Sequence, residues 1–254
     1  MNIIVCVKRI PKTAEADLFI EKDGKDIKKD NLVFALNDWD GYAVREAALL
    51  KEKHDGNVTV LTVGPEESKE VLTRCLAMGA DRALKIEAPE SGDANLISRI
   101  LFHAIENEPF DLILTGVQAE DDGWGQIGVA LAQRLGLPHA AIVNRIEIKD
   151  GKARVKRELE GGIEEVLEIE MPAVLTIQTG INEPKYVSLA AILEAEDKEM
   201  KEVTLEEIGV VEKGLDVTID QVSFPPVGKM AEILRGSPED VAVQLTEIIK
   251  KKKG

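Results

Sequence analysis

An alternation constrains this chain more than any other feature. Through residue 136, short apolar runs take turns with segments whose apolar residues recur every three or four positions. "NIIVCV" (2–7), "NVTVLTVG" (57–64), "RALKIE" (82–87) and "DLILTG" (111–116) have the length and near-continuous apolar character of strands buried on both faces. "NLVFAL" (31–36) reads as a further extended piece. The intervening spacing predicts helices. Val44, Ala47, Ala48 and Lys51 share a stripe within 40–53, and Val71, Leu72, Cys75 and Leu76 share another that Gly79 is placed to end. Leu96, Ile97, Ile100, Leu101, Ala104 and Ile105 form a third stripe, and "IGVALAQRLG" a fourth helix ended by Gly136. Strands separated by helices pair in parallel, so the fold class is α/β: a mostly parallel sheet with helices on both faces.

After Pro138 the pattern changes. "AAIVNRIEI", "KARVKREL", "IEEVLEIE" and "PAVLTIQT" are extended, and "KDGKA" is a hairpin turn. These four segments are expected to continue the sheet along one edge as antiparallel pairs. "EAEDKEMKEV" reads as a solvated loop or helix face, and residues 204–226 as an irregular extended arm. "SPEDVAVQLTEIIKKKK" is a closing helix: Ser237 can cap it, Pro238 suits its first position, and the final lysines suit its dipole. Its stripe of Val241, Leu245, Ile248 and Ile249 needs a surface to cover, which points to another chain. The expected division is a domain of residues 1–200 followed by an arm and helix, 201–254.

The charge balance excludes some partners. Lys plus Arg number 32 against 47 Asp plus Glu, a net charge of −15, and such a field repels phosphate backbones and anionic lipid. Nucleic acid and membrane insertion are therefore not expected, and the longest apolar runs fall well short of the roughly 20 residues of a membrane span. The N-terminus lacks a signal-peptide pattern, and Cys6 and Cys75 read as core thiols of a reducing compartment, so a cytoplasmic location is expected. His54, His103 and His139 lack metal-ligand spacing, and no metal or catalytic constellation is discernible.

One motif carries chemistry. Gly123-Trp124-Gly125-Gln126-Ile127-Gly128 spells G-x-G-x-x-G, but it starts seven residues after the strand-ending Gly116, on about the fourth strand rather than the first. A dinucleotide fingerprint needs the turn directly after the strand, so that match is weak. Gly116 instead ends a parallel strand, where ligands of open α/β sheets bind. The loop with Asp121, Asp122 and Gly125 leads into a helix near Gln126 whose first N–H groups can hold a phosphate. On these residues alone, a nucleotide loop and a solvated helix-capping loop fit equally.

The segment "RVKRELEGGIEEVLEIEMPAVLT" is more specific. Val155-x-Arg157, Glu160-Gly161-Gly162, Glu165-x-Leu167 and Pro172-x-Val174-Leu175-Thr176 resemble the signature of the electron transfer flavoprotein beta subunit. "VCVKRIP", "ALNDWD", "CLAMGADRA", "GVQAEDDGWGQIG" and "INEPKYVSL" resemble further stretches of that family, in order, over roughly residues 1–200. The resemblance implies a Rossmann-like, adenine nucleotide hydrolase-like sheet with antiparallel edge strands and a C-terminal arm packed on an alpha subunit. It implies an electron carrier rather than an enzyme: FAD bound mostly by the alpha subunit, a structural AMP in this chain, electrons taken from flavin dehydrogenases of the acyl-CoA type, as in fatty acid beta-oxidation, and passed to a quinone-linked oxidoreductase.

Carried over by position, the AMP site comprises Cys6, then Asn37, Asp38, Trp39 and Asp40 in the second loop, and Val63 at the next strand end. It continues through Gly116, Val117, Gln118, Ala119, Glu120, Asp121 and Asp122 to Gly123, Trp124, Gly125, Gln126 and Ile127. Trp39 is a candidate wall for the adenine. Leu189 matches the family's exposed partner-recognition leucine, while Glu194, Glu196 and Asp197 stand where well-known members carry lysines. Lys8 and Arg9 face the flavin, a subunit interface or solvent. A bifurcating branch of the family replaces AMP with a second FAD and oxidises NADH. Its loop reads Asp-Gly-Asp-Thr-Ala-Gln-Val-Gly-Pro, and this chain lacks the Thr-Ala pair and the Pro. A nucleotide-binding module of the universal-stress type shares the α/β pattern, but its Gly-x-x-Gly, nine-residue, Gly-(Ser/Thr) loop is not evident.

Overall fold

The computed structural model describes residues 1–89, 92–183, 186–210, 215–226, 228 and 231–253. In chain order, β1 (Asn2–Cys6) leads into a small antiparallel pair, β2 (Arg9–Pro11) and β3 (Phe34–Leu36), and then α1 (Asp38–His54). β4 (Asn57–Gly64), α2 (Lys69–Met78), β5 (Arg82–Glu87), α3 (Ala94–Ile105), β6 (Leu112–Gly116) and α4 (Ile127–Leu135) follow. The rest is β7 (His139–Lys149), β8 (Lys152–Leu159), β9 (Ile163–Glu170), β10 (Ala173–Ile177), α5 (Leu189–Ala195), β11 (Met200–Thr204) and α6 (Pro238–Lys253).

The main sheet has the order β11-β5-β4-β1-β6-β10-β7-β8-β9. β1 lies at its centre, parallel to β4 on one side and β6 on the other. The chain runs outward from β1 to β4 and β5, then crosses back to β6, so the strand order reverses at β1 and β6. That reversal opens a crevice at their carboxyl ends. One apolar cluster packs α1 and α2 onto one face through Val44, Ala47, Leu72 and Leu76. The other packs α3 and α4 onto the opposite face through Ile100, Ile105, Leu131 and Ala132. Both faces of β1 are therefore covered, which is why its run reads as continuously apolar rather than alternating.

Two segments differ from expectation. β10 is not part of an antiparallel edge: it lies between β6 and β7 and parallels both. All five of its residues are buried, so "AVLTI" is a strand covered on two faces, like β1 and β6. Only β7, β8 and β9 form the antiparallel edge. β7 serves both arrangements: residues up to Val143 pair with β10, those from Val143 onward pair with β8, and Ile142, with φ of 62°, kinks the strand between them. The second difference is "MKEVT" within the charge run, which is β11, parallel to β5 at the far edge. The Lys85 side chain of β5, with no exposed surface, explains the pairing. Its ammonium meets Glu66 (2.6 Å), Glu202 of β11 (3.2 Å) and Glu87. Burial alone would lower the ammonium's pKa, but the three carboxylates outweigh it and raise it.

α4 approaches the sheet closely at Gly128. A Cβ there would sit 2.6 Å from both Thr115 Oγ1 and Thr176 Cγ2. Gly128→Ala must push α4 away from β6 and β10, so it should destabilise the chain by about 1–3 kcal/mol. The measurement is the urea midpoint, expected to fall with an unchanged denaturant slope.

Candidate functional site

At the reversal of strand order the structure holds a cleft open to solvent, with a cavity volume of about 130 Å³. Cys6 ends β1, Val63 lies near the end of β4, and Thr115 and Gly116 end β6, so three strand termini converge on it. Residues 117–119, Asp122 and 124–127 form one wall, and Ile97 and Leu101 of α3 form another.

Asp40 organises this convergence. Its side chain is buried in the first turn of α1. One carboxylate oxygen accepts from Gly116 N–H at 3.0 Å, the other from Lys8 N–H at 2.8 Å. A single carboxylate thus bridges the exits of β6 and β1. Burial pushes its pKa up to about 7, against the opposing pull of the bonds from Lys8, Asn37 and Gly116. Asn37, also buried, fixes the loop that leaves β6: its Nδ2 donates to Gln118 C=O (2.9 Å) and its Oδ1 accepts from Glu120 N–H (3.2 Å). A Cβ at Gly116 would collide with Asp40 and Trp39, so the close approach of α1 requires glycine there.

Two lysines latch the same loop. Lys8 Nζ contacts Asp121 and Asp122 at 2.7 Å, and Lys12 Nζ contacts Asp38 at 2.9 Å and Glu120 at 3.1 Å. Burial pulls the Lys8 ammonium down, but its two aspartates outweigh that and the net shift is upward. Gly123 and Gly125 take φ of 63° and 61° to turn the loop into α4. The Gln126 side chain makes no cap bond, and the first carbonyl acceptance of the helix is Ala130 N–H to Gln126 C=O. The amides of Ile127 to Val129 therefore precede the intrahelical ladder and are available to an anion.

Most of the residues expected from sequence share the cleft: Cys6, Asn37, Asp40 and Val63, then Gly116, Val117, Gln118, Ala119 and Asp122, then Trp124, Gly125, Gln126 and Ile127 all line it. Asp38, Glu120 and Asp121 lie outside the wall in the lysine latches, and Gly123 shapes the turn. Trp39 also lies outside: its indole N–H donates to Gln178 Oε1 at 3.0 Å, beyond the end of β10. The Cys6 thiol lines the cleft but is pushed up to about 12, first by burial and then by the Asp40 charge, which favours the protonated thiol at neutral pH. Sequence reasoning missed Pro89 and Gly92, which follow β5 and wall the cleft, although the strand-end rule that found Gly116 applies to them. It assigned Ile97 and Leu101 to the core alone. Leu189 begins α5, 71% exposed, with Ser188 Oγ capping the helix through Ala191 N–H at 3.2 Å. Pro184 and Lys185, in the same segment that the sequence resemblance assigned to partner recognition, lie outside the described residues. Among the described residues no helix is long and apolar enough to cross a membrane.

The electron transfer flavoprotein domain profile matches residues 27–208. Aligned over 100% of both chains, the sequence is 38% identical to the electron transfer flavoprotein subunit beta of Methylophilus methylotrophus. It is 34% identical, over 98% of each chain, to the protein of the same name from Bacillus subtilis (strain 168). It is 35% identical, over 99% of each, to the caffeyl-CoA reductase-Etf complex subunit CarD of Acetobacterium woodii.

The Asp40 carboxyl generates a signed prediction. Its folded value, about 7, lies above the ordinary unfolded value near 4, so the native state holds this proton more tightly. Its contribution to stability is greatest where both states are protonated, falls as pH rises from about 4 to about 7, and is flat above. Asp40→Asn removes that titration and sets an amide against backbone donors. The stability lost on substitution, read from urea midpoints, is therefore expected to be larger at pH 5 than at pH 8.

Proposed function

Because the chain belongs to the electron transfer flavoprotein family as a beta subunit, we propose that it is half of a heterodimeric electron carrier with a structural AMP in the strand-end cleft. An alpha subunit binds most of the FAD, and that flavin supplies the redox chemistry. This chain contributes an interface and a nucleotide that takes no part in electron transfer. Electrons arrive from flavin dehydrogenases of the acyl-CoA type and leave to a quinone-linked oxidoreductase.

The observation that carries this reading is the cleft itself, held open by Asp40 and ending on the first amides of α4. The residues suit a nucleoside monophosphate. Val63, Ile97, Leu101 and Ile127 offer apolar wall to a base and ribose, and the Ile127 amide at the start of α4 offers a donor to a phosphate. The Lys8 ammonium, the cation in the wall, is engaged by Asp121 and Asp122. A phosphate here rests on backbone N–H groups rather than on a free basic side chain, in keeping with a net charge of −15. The arm and α6 supply the alpha-subunit contact, because Leu245, Ile248 and Ile249 of α6 stay exposed on this chain.

Leu189, exposed at the start of α5, is the contact for the dehydrogenase. Glu194, Glu196 and Asp197 around the end of α5 are exposed as well, so the docking surface is acidic.

Co-purification of both subunits followed by denaturation tests the nucleotide: one AMP and one FAD per pair are expected. Two FAD and no AMP would replace this reading with the NADH-oxidising, bifurcating one. Leu189→Ala is expected to lower kcat/KM for reduction by the dehydrogenase roughly tenfold, the cost of one apolar anchor, while the flavin spectrum stays unchanged.

A further inference from the structure

Asp93 caps α3 and also does something no helix cap requires. One carboxylate oxygen accepts from Leu96 N–H at 2.7 Å, which is the ordinary capping bond. The other accepts from two consecutive amides of the C-terminal arm, Asp216 N–H at 2.6 Å and Val217 N–H at 2.9 Å, more than a hundred residues away in sequence. The side chain is 3% exposed. Its carboxyl is held below the usual range, mainly by the Leu96 bond, with both arm amides adding to the effect. Around it, Asn95 Nδ2 donates to the Asp216 carboxylate, Arg134 of α4 donates to Asn95 Oδ1, and Arg134 Nε donates to Ser98 Oγ at 3.1 Å. Five residues beyond Val217, Val222 N–H donates to Gly24 C=O at 2.7 Å. The arm is thus fastened at two points, and between them Val217 and Ile219 are 65% and 57% exposed.

We propose that Asp93 is a positioning residue that fastens the C-terminal arm to the nucleotide-binding core, holding residues 215–222 against this chain with apolar side chains outward before the alpha subunit binds. The identity of that partner rests on the function proposed above; the fastening does not. A segment already ordered on its own subunit loses less conformational freedom on association, so the tether favours assembly without adding a contact to the interface. It also roots the arm at the rim of the cleft, because Gly92 directly before Asp93 and Ile97 one turn after it both line the wall. Aspartate is required for the double role. Serine offers a single short oxygen that can cap α3 but not reach the arm.

Asp93→Ser therefore separates the two roles, and Asp93→Ala removes both. Hydrogen exchange on the free full-length chain is the first readout. In Asp93→Ser the amides of 216 and 217 are expected to exchange faster by on the order of tenfold, as for lost charge-assisted bonds, while Leu96 and the body of α3 keep wild-type protection. In Asp93→Ala both are expected to loosen. The second readout is association with purified alpha subunit, expected to slow severalfold in Asp93→Ser at unchanged nucleotide content. Wild-type exchange at 216 and 217 in Asp93→Ser, or equal loosening of α3 and arm, would overturn the proposal and leave Asp93 as a cap only. A wild-type chain that never binds the alpha subunit would overturn the partner assignment, and the exchange result would still decide the tether.

Discussion

One buried carboxylate holds the site together. Asp40 enters from the first turn of α1 and accepts amides from the exits of both β1 and β6, which are adjacent strands that separate once their ladder ends. Without an acceptor between them, two partly buried N–H groups would lose their partner, at up to about 1–3 kcal/mol each if water cannot replace it. The structure tolerates an ionisable group there because the alternative is worse. The close packing of Gly116 against α1, the aim of Asn37 at the departing loop, and the crevice between the strand ends all follow from that bridge.

Around this bridge the binding surface is assembled from pieces remote in sequence. The loop leaving β6 is fixed by hydrogen bonds from Asn37 and by ion pairs with Lys8 and Lys12. Acidic side chains on the loop face lysines on the β1–β2 side, so ion pairs close this loop in a chain of large negative charge. The loop then leads into the positive end of α4.

Much of this was legible in the sequence, and the failures are physical. β1, β4, β5 and β6 were readable because strands covered on both faces carry continuous apolar runs, and four helices because their stripes recur at helical spacing. β10 has the same continuous run, but its place after three alternating strands drew it into the hairpin series; sequence order does not encode which edge a strand enters. β11 was hidden by its charges. Its pairing depends on Lys85, buried in β5 and satisfied by carboxylates from three separate segments, a relation no local pattern contains. Within the site, the strand-end rule pointed to Gly116, and the family resemblance placed Cys6 and Val63, which line the same cleft. The Trp39 indole N–H donates to Gln178, a partner 139 residues away that no local pattern points to. Ile97 and Leu101 show that an apolar stripe read as core also lines a cavity where the sheet ends.

The two thiols stand at different depths of this architecture. Cys6 borders the cleft, while Cys75, on the buried face of α2, lies in the packed interior, and burial keeps both protonated. A thiol reagent should meet Cys6 when the cleft breathes and Cys75 only when the whole core comes apart. The native chain therefore carries its own pair of chemical clocks, one timing the opening of a doorway and the other the collapse of the house.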